Sequence, residues 1–427
     1  MATSLSLLLI FVFIGIPVAA ALGLLGLSLD WLYMDARLTR GMGEFVWQSG
    51  LNTLLVAVPM FVLLGEIMLR AGIARRMYDA ISLWLSWLPG GLMHANIGTA
   101  TILAASSGSS VATAATVGTV AYPQIKARGY NESLFLGSIA AGGTLGILIP
   151  PSVNLILYGM ITNNSVPELY LAGLLPGLVL AASFMVTIAL LCIFRSNLGG
   201  DKIDASWHDR IAALPQLLPP VILFALVVGS IYAGIATPTE SASIGVVASL
   251  IIAWTAGRLN TDMLSAALEG TLRTTGMIML IVAAAAFLNY VLGVIGITQL
   301  ITETMANLGL TPLQTILMVI VFYLFLGMFM ETLSMMLTTV PLVYPIVAQA
   351  GFDGIWFGIL ITLLIELALI TPPIGLNLFV VQGVRADGGA IKDIFWGVLP
   401  FAITILVMIA LLLVFPQLAL WLPGVFY

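Results

Sequence analysis

Two short segments of this chain place the same unusual chemistry at matching positions. One reads Gly146-Ile147-Leu148-Ile149-Pro150-Pro151-Ser152-Val153-Asn154, the other Thr371-Pro372-Pro373-Ile374-Gly375-Leu376-Asn377. A double proline deletes two backbone donors and clashes with the preceding turn, so a helix breaks there. The carbonyls upstream are then free to take a hard cation such as Na+, and Asn154 or Asn377 adds a side-chain carbonyl. A plain proline kink is the simpler reading. Against it, Pro150 stands 27 residues after Pro123 and Pro372 stands 27 after Pro345, and both Pro123 and Pro345 follow a tyrosine.

Two further segments interrupt apolar regions with residues that bind through oxygen. Ser106-Ser107-Gly108-Ser109-Ser110 lies inside region 92–125, and Gly327-Met328-Phe329-Met330-Glu331-Thr332-Leu333-Ser334 lies inside 312–347. Non-helical backbone at membrane depth survives only where protein, water or ligand satisfies its polar groups. Serine hydroxyls coordinate hard cations, and the helix that follows each tip aims its partly positive amide end at whatever lies beside it. Small residues also pack helices closely, which is the alternative use of the serine-rich tip. Glu331 is costly at mid-membrane. It either caps the following helix, helps hold a cation, or carries a proton.

These segments belong to a duplication. Tyr122-Pro123 recurs as Tyr344-Pro345 and Pro150-Pro151 as Pro372-Pro373, both at an offset of 222 residues. Gly72-Ile73 recurs as Gly296-Ile297, and Gly173-Leu174-Leu175-Pro176 recurs as Gly397-Val398-Leu399-Pro400, both at 224. In a membrane protein, proline-interrupted segments at corresponding places in two halves point to a secondary transporter whose site lies where the halves meet.

The elements that position them must cross a bilayer. Hydrophobic residues make up 61% of the 427-residue chain and charged ones 8%, against about 25% charged in soluble domains. The mean hydropathy is +1.14. Spans are expected at 4–28, 48–69, 131–161, 170–194, 213–234, 238–257, 272–294, 354–382 and 394–415. The run from Leu5 to Leu29 is too long for a secretory leader core and is expected to stay as a first spanning helix. Cys192 is alone, so no internal disulfide forms. His94 and His208 are far apart, and no Gly-rich phosphate loop precedes a lysine. An ATP-driven pump and a clustered metal site are therefore disfavoured, and the net charge of −5 gives no reason to invoke nucleic acid.

Basic residues set the orientation, because cytoplasmic loops collect them. Arg70, Arg75 and Arg76 follow the second span, and Lys126 and Arg128 follow the first interrupted region; their repeat mates near 294–302 and 348–354 carry none. The bias reverses for loop 162–169, which has none, and its mate 384–393, which holds Arg385 and Lys392. That complementarity is what an inverted repeat predicts. The N-terminus is then cytoplasmic and the C-terminus periplasmic, and both interrupted regions become re-entrant helical hairpins. Arg37 and Arg40 run against the scheme, in a loop it places outside. Residues 73–88 suit a helix lying along the interface. Glu66 pairs naturally with Arg70 four residues on, and Glu240 suits a helix N-terminus.

Gly146 to Ser152, Ile231-Tyr232-Ala233-Gly234-Ile235-Ala236-Thr237-Pro238-Thr239-Glu240 and Pro372 to Asn377 together resemble the large membrane subunit of tripartite ATP-independent periplasmic (TRAP) transporters, over essentially the whole chain. The resemblance implies an all-α integral membrane, inverted-repeat elevator transporter in the bacterial inner membrane. It would work with a small four-helix membrane subunit and a periplasmic substrate-binding protein. Uptake would be driven by two or more Na+ ions, and the cargo would be an organic anion such as a C4-dicarboxylate, sialic acid or a related carboxylate or sulfonate. Carried over by position, one Na+ would lie among Ser106, Ser107, Gly108, Ser109, Gly146, Pro150 and Asn154. A second would lie among Gly327, Met330, Glu331, Thr332, Thr371, Pro372, Gly375 and Asn377. The anion would sit near Ser107, Ser109, Asn154, Thr332 and Asn377. Two departures touch this region: the family commonly has Pro-Ser after the tip glutamate, here Thr332-Leu333, and His before the second Pro-Pro, here Thr371.

The implied organisation runs as follows. Residues 1–91 form scaffold and interfacial arm of the first repeat, and 92–161 its hairpin and broken helix. Residues 162–212 form a peripheral helix and cytoplasmic linker, and 213–311 a connecting helix with scaffold and arm of the second repeat. Residues 312–382 form the second hairpin and broken helix, and 383–427 the final span. The main rival is a self-sufficient Na+/anion symporter of the same superfamily. A membrane scaffold or intramembrane enzyme is a weaker one, because no catalytic pair of Asp, no His-Glu metal motif and no Ser/His arrangement stands at plausible depth.

Overall fold

The computed structural model describes residues 6, 7, 10, 11, 14–385 and 388–427. Its regular elements are all helices, and among the described residues six are long and apolar enough to cross a membrane: Thr53–Arg70, Val166–Phe194, Trp207–Tyr232, Thr261–Ile295, Thr332–Gln349 and Ile391–Val414.

Side-chain oxygens start most of these helices by accepting an orphan amide of the first turn. Asn131 caps Glu132–Thr144, Ser165 caps Val166–Phe194, Asn260 caps Thr261–Ile295 and Asp353 caps Gly354–Leu369. Thr237 and Glu240 form a reciprocal capping box on Pro238–Thr255, so Glu240 has the helix-start role expected of it. Glu66 and Arg70 pair at 3.1 Å, also as expected. Gly72 and Gly296 take positive φ of 70° and 80° and turn the chain into the arm helices Ile73–Leu85 and Ile297–Asn307.

Val18–Met34, Ala57–Arg70, Pro238–Thr255 and Thr261–Ile295 pack into one group. A second group holds both hairpins and both broken helices, and within it the two halves interlock. Ile391–Val414 lies along Glu132–Thr144, where Gly137 and Gly397 bring the two backbones together with no room for a Cβ. Val153–Thr162 runs antiparallel to Gly354–Leu369: the Tyr158 hydroxyl donates to Gly354 O at 2.7 Å, and Gly358 packs against the Tyr158 ring. Phe135, Tyr158, Tyr170, Tyr323 and Phe357 are fully buried. Leu272, Val321 and Phe194 face outward, 73%, 64% and 82% exposed, which costs nothing against lipid.

Three expectations need correction. The apolar run 4–28 is not one continuous helix: Gly15 adopts φ +80° and Pro17 starts the helix Val18–Met34, since proline cannot donate to an earlier turn. Residues 4, 5, 8, 9, 12 and 13 of that run lie outside the described residues. The span drawn at 48–69 divides at Asn52, whose side chain caps a 3-10 turn at Thr53–Val56 before Ala57–Arg70; Met42–Gly50 is a separate helix. The chain also adds Gln417–Phe426, which packs against Val166–Phe194.

Candidate functional site

Both tips form where the segments predict. Leu92–Ser107 ends at Gly108, whose φ of +58° reverses the chain, and Ser109 accepts from Ala112 N at 3.4 Å to start Ser110–Ala121. Pro312–Gly327 ends before Glu331, and Thr332–Gln349 starts after it. Both double prolines break their helices. Glu132–Thr144 tightens into a 3-10 turn at Leu145–Ile147 and resumes as Val153–Thr162, while Gly354–Leu369 resumes as Leu376–Val384.

The first tip meets its break backbone to backbone. A Cβ on Gly108 would stand 2.8 Å from Pro151 O, and one on Gly146 would stand 2.6 Å from Ser109 O. Ser107 Oγ and Thr113 Oγ1 bond at 2.9 Å, Thr113 Oγ1 donates to Ser109 O at 2.8 Å, and Ser106 Oγ donates to Leu103 O at 3.0 Å. Ser152 Oγ donates to Ile147 O at 2.6 Å beside Pro150-Pro151, so the break is partly satisfied from within. In the second half, Gly327, Met330 and Thr332 of the tip line a small cavity together with Ala368, Leu369 and Gly375 of the break. Thr371 Oγ1 donates to Leu367 O at 2.6 Å, one turn before Pro372.

Glu331 is a helix cap. Its carboxylate accepts from Ser334 N at 3.1 Å, Ser334 Oγ at 3.0 Å and Thr332 Oγ1 at 2.8 Å. Asn377 reaches across the repeat instead of staying beside the second tip. It is fully buried, accepts from Ser110 Oγ at 2.9 Å and donates Nδ2 to Ala140 O at 3.0 Å. Asn154, 4% exposed, leaves its Nδ2 with no partner. Sequence reasoning missed Ser110 and the Ala140 carbonyl as partners of Asn377; no local signal marks either.

Four helix N-termini are thereby joined. Val153–Thr162 begins beside Gly108, Ser110–Ala121 is bonded to Asn377 at the start of Leu376–Val384, and that start shares a cavity wall with Thr332. Each terminus carries roughly half a positive charge. At Thr332 the Glu331 carboxylate already offsets that charge, while the starts at Ser110, Val153 and Leu376 carry no carboxylate cap, and such termini favour anions.

The comparisons agree with this architecture. Residues 5–418 match the family model described as the tripartite ATP-independent periplasmic transporter, DctM component. The chain is 32% identical over 431 residues to the C4-dicarboxylate TRAP transporter large permease protein DctM of Vibrio cholerae, covering 96% of this chain and 94% of that one. It is 30% identical to the sialic acid TRAP transporter large permease protein SiaM of the same organism, over 88% and 87% of the two chains. The ectoine TRAP transporter large permease protein TeaC of Halomonas elongata is likewise 30% identical, over 86% of each. The crystal structure of the YdaH transporter of Alcanivorax borkumensis superposes with a TM-score of 0.59 at 16% identity, over 99% of this chain and 98% of that one. That likeness speaks for the fold, and the family match for kinship: this multi-pass membrane chain belongs to the DctM family, the large permease component of the tripartite ATP-independent periplasmic transporters.

Proposed function

We propose that this permease carries out Na+-coupled uptake of an organic anion, delivered by a periplasmic binding protein and shared with a small four-helix membrane subunit, by an elevator motion. The gathering of three helix N-termini without a carboxylate cap, those of Ser110–Ala121, Val153–Thr162 and Leu376–Val384, carries the reading, because it can offset an anion's charge without any fixed cation. Oxygen donors at each junction suit Na+, a hard ion: Ser107, Ser109, Pro150 and Asn154 on one side, Thr332, Thr371 and Gly375 on the other. Relatives named for a C4-dicarboxylate, sialic acid and 2,3-diketo-L-gulonate support a carboxylate cargo.

The elevator motion rests on an asymmetry between the halves. Gly65 and Asn289 are equivalent, at the 224-residue offset of Gly72 and Gly296. Gly65 faces the backbone of tip residue Ser107, where a Cβ would stand 3.2 Å from its carbonyl oxygen. Asn289 Nδ2 donates instead to Leu337 O at 3.2 Å. The repeat mate of Ser107 is Phe329, which precedes the Glu331 tip, whereas Leu337 lies past it, five residues into Thr332–Gln349, or about 7.5 Å along that helix at 1.5 Å per residue. This asymmetry supports a hairpin body, the two hairpins with their broken helices, displaced along its scaffold. In the proposed orientation it sits toward the cytoplasm.

The test is radiolabelled anion uptake into proteoliposomes, with the chain alone and with its small subunit, binding protein and an inward Na+ gradient, over succinate, sialic acid and a sulfonate. Uptake only in the complete, Na+-driven system is expected. Uptake by the chain alone would establish the self-sufficient symporter instead.

A further inference from the structure

Glu366 stands six residues before the second Pro-Pro, is fully buried, and has neither carboxylate oxygen bonded to a donor. A buried carboxylate needs a cation or several donors; without them it is neutralised by taking a proton.

The helices packed on Gly354–Leu369 supply neither. Their charged residues are Glu132, Glu168, Lys392 and Asp393, all in first turns. Glu331, which caps another of these helices, is occupied by Ser334 and Thr332, and Arg385, which ends another, by Glu132 and Asp393. The tyrosines on these helices are engaged elsewhere: Tyr158 with Gly354 O, Tyr170 with Ser152 O, Tyr323 with Thr339 and Tyr344 with Asn164. Within its own helix, the Thr362 hydroxyl donates to Gly358 O.

The repeat shows what this position asks for. At the 222-residue offset the mate of Glu366 is Thr144. Thr144 is equally buried and donates its hydroxyl proton to Ala141 O at 2.8 Å, back into its own helix. An ionised carboxylate has no proton to give, whereas a carboxylic acid has one.

We propose that Glu366 is a proton-binding site within the hairpin body: it holds a resident proton and donates it to a carbonyl of its own preceding turn, as Thr144 does in the other repeat. The ligand is H+, taken from water as the chain folds. No bond other than O–H is made, and the group stays uncharged wherever the body moves. This holds independently of which ion drives transport.

The experiment is infrared spectroscopy of the purified full chain at neutral pH with glutamate-selective isotope labelling, paired with thermal unfolding of wild type and Glu366→Gln in NaCl and in choline chloride. A protonated-acid carbonyl band that shifts with the label and is missing from Glu366→Gln is expected, as is the same Na+-dependent thermal shift in both proteins. Absence of a label-sensitive acid band from wild type overturns the proposal, and that reading stands even if the variant does not fold. A wild-type Na+ shift lost in Glu366→Gln overturns it too, because Glu366 would then be an ionised cation ligand. Failure of Na+ coupling itself would show as no Na+ shift in wild type, leaving the infrared result to decide.

Discussion

Ser110 on the first hairpin donates its hydroxyl proton to Asn377 Oδ1 at 2.9 Å, across 267 residues of sequence, while Asn377 Nδ2 donates to Ala140 O at 3.0 Å. One carboxamide thus ties the tip of one repeat, the broken helix of the other and the helix before the first break. Its mate Asn154 leaves its donor unpaired.

The two asparagines are therefore expected to behave differently. Asn377→Ala strands Ala140 O and Ser110 Oγ in a buried site and should cost about 1–3 kcal/mol of stability. Asn154→Ala removes a donor that bonds to nothing, so stability should hold while apparent Na+ affinity falls. Thermal unfolding of both variants, titrated with NaCl, separates the effects. Equal destabilisation, or unchanged Na+ dependence in Asn154→Ala, would break the assignment.

Gly146 lies where two backbones touch, and neither can yield as a flexible side chain would. Gly146→Ala should cost about 1–3 kcal/mol by overpacking and abolish uptake by forcing the tip from the break. Gly276→Ala, with nothing within 4 Å of its added methyl, is the control and should behave as wild type. Expression level, melting temperature and uptake of the two variants check this.

If the hairpin body slides, the inverted repeat defines the other end of the motion. Asn289 would then face Phe329 in place of Leu337. In a Cys192→Ala background, Asn289→Cys with Leu337→Cys should cross-link in the state shown, and Asn289→Cys with Phe329→Cys in the opposite one. Each cross-link should stop uptake reversibly. A second pair that never forms during turnover would count against the elevator.

Arg385 is 3% exposed at its side chain, sits 2.7 Å from Glu132 Oε1 and 3.2 Å from Asp393 Oδ2, and donates to Ala390 O at 3.0 Å. It clamps the start of the first broken helix to the end of the second. Arg385→Ala leaves two carboxylates, each about one-third exposed, without their cation and should cost about 1–3 kcal/mol, since water screens what remains. Glu132→Gln should cost much less, because Glu132 is one-third exposed and Asp393 keeps the arginine paired. Chemical or thermal unfolding of the pair of variants tests the ordering.

Much of the fold was legible because its signals are local. Pro150-Pro151 and Pro372-Pro373 mark breaks by removing donors, Gly108 marks a reversal by its freedom at positive φ, and Asn131, Ser165, Thr237 and Asp353 announce helix starts through their own oxygens. Where legibility failed, polarity misled. The run from Leu5 to Leu29 is apolar throughout, and hydropathy does not register that Gly15 and Pro17 interrupt it. Asn52 divides another apolar stretch for the same reason.

The candidate site was legible only in part. Which residue types gather there follows from the duplication, since two copies of a tip and a break must meet at a shared centre. Partners do not follow. That Glu331 caps a helix, with Ser334 and Thr332 as its donors, is seen only in the structure.

By itself, the sequence determined that this chain is a duplicated, many-helix membrane protein with two tips and two breaks, because backbone chemistry and apolar length act within a few residues. Only the tertiary structure decided that Asn377 crosses to the first repeat, that four helix starts adjoin one another in turn, and that Glu366 has no partner among the described residues. Those facts depend on which surfaces pack across more than 200 residues, as do the different contacts that Gly65 and Asn289 make at matching places in the two repeats.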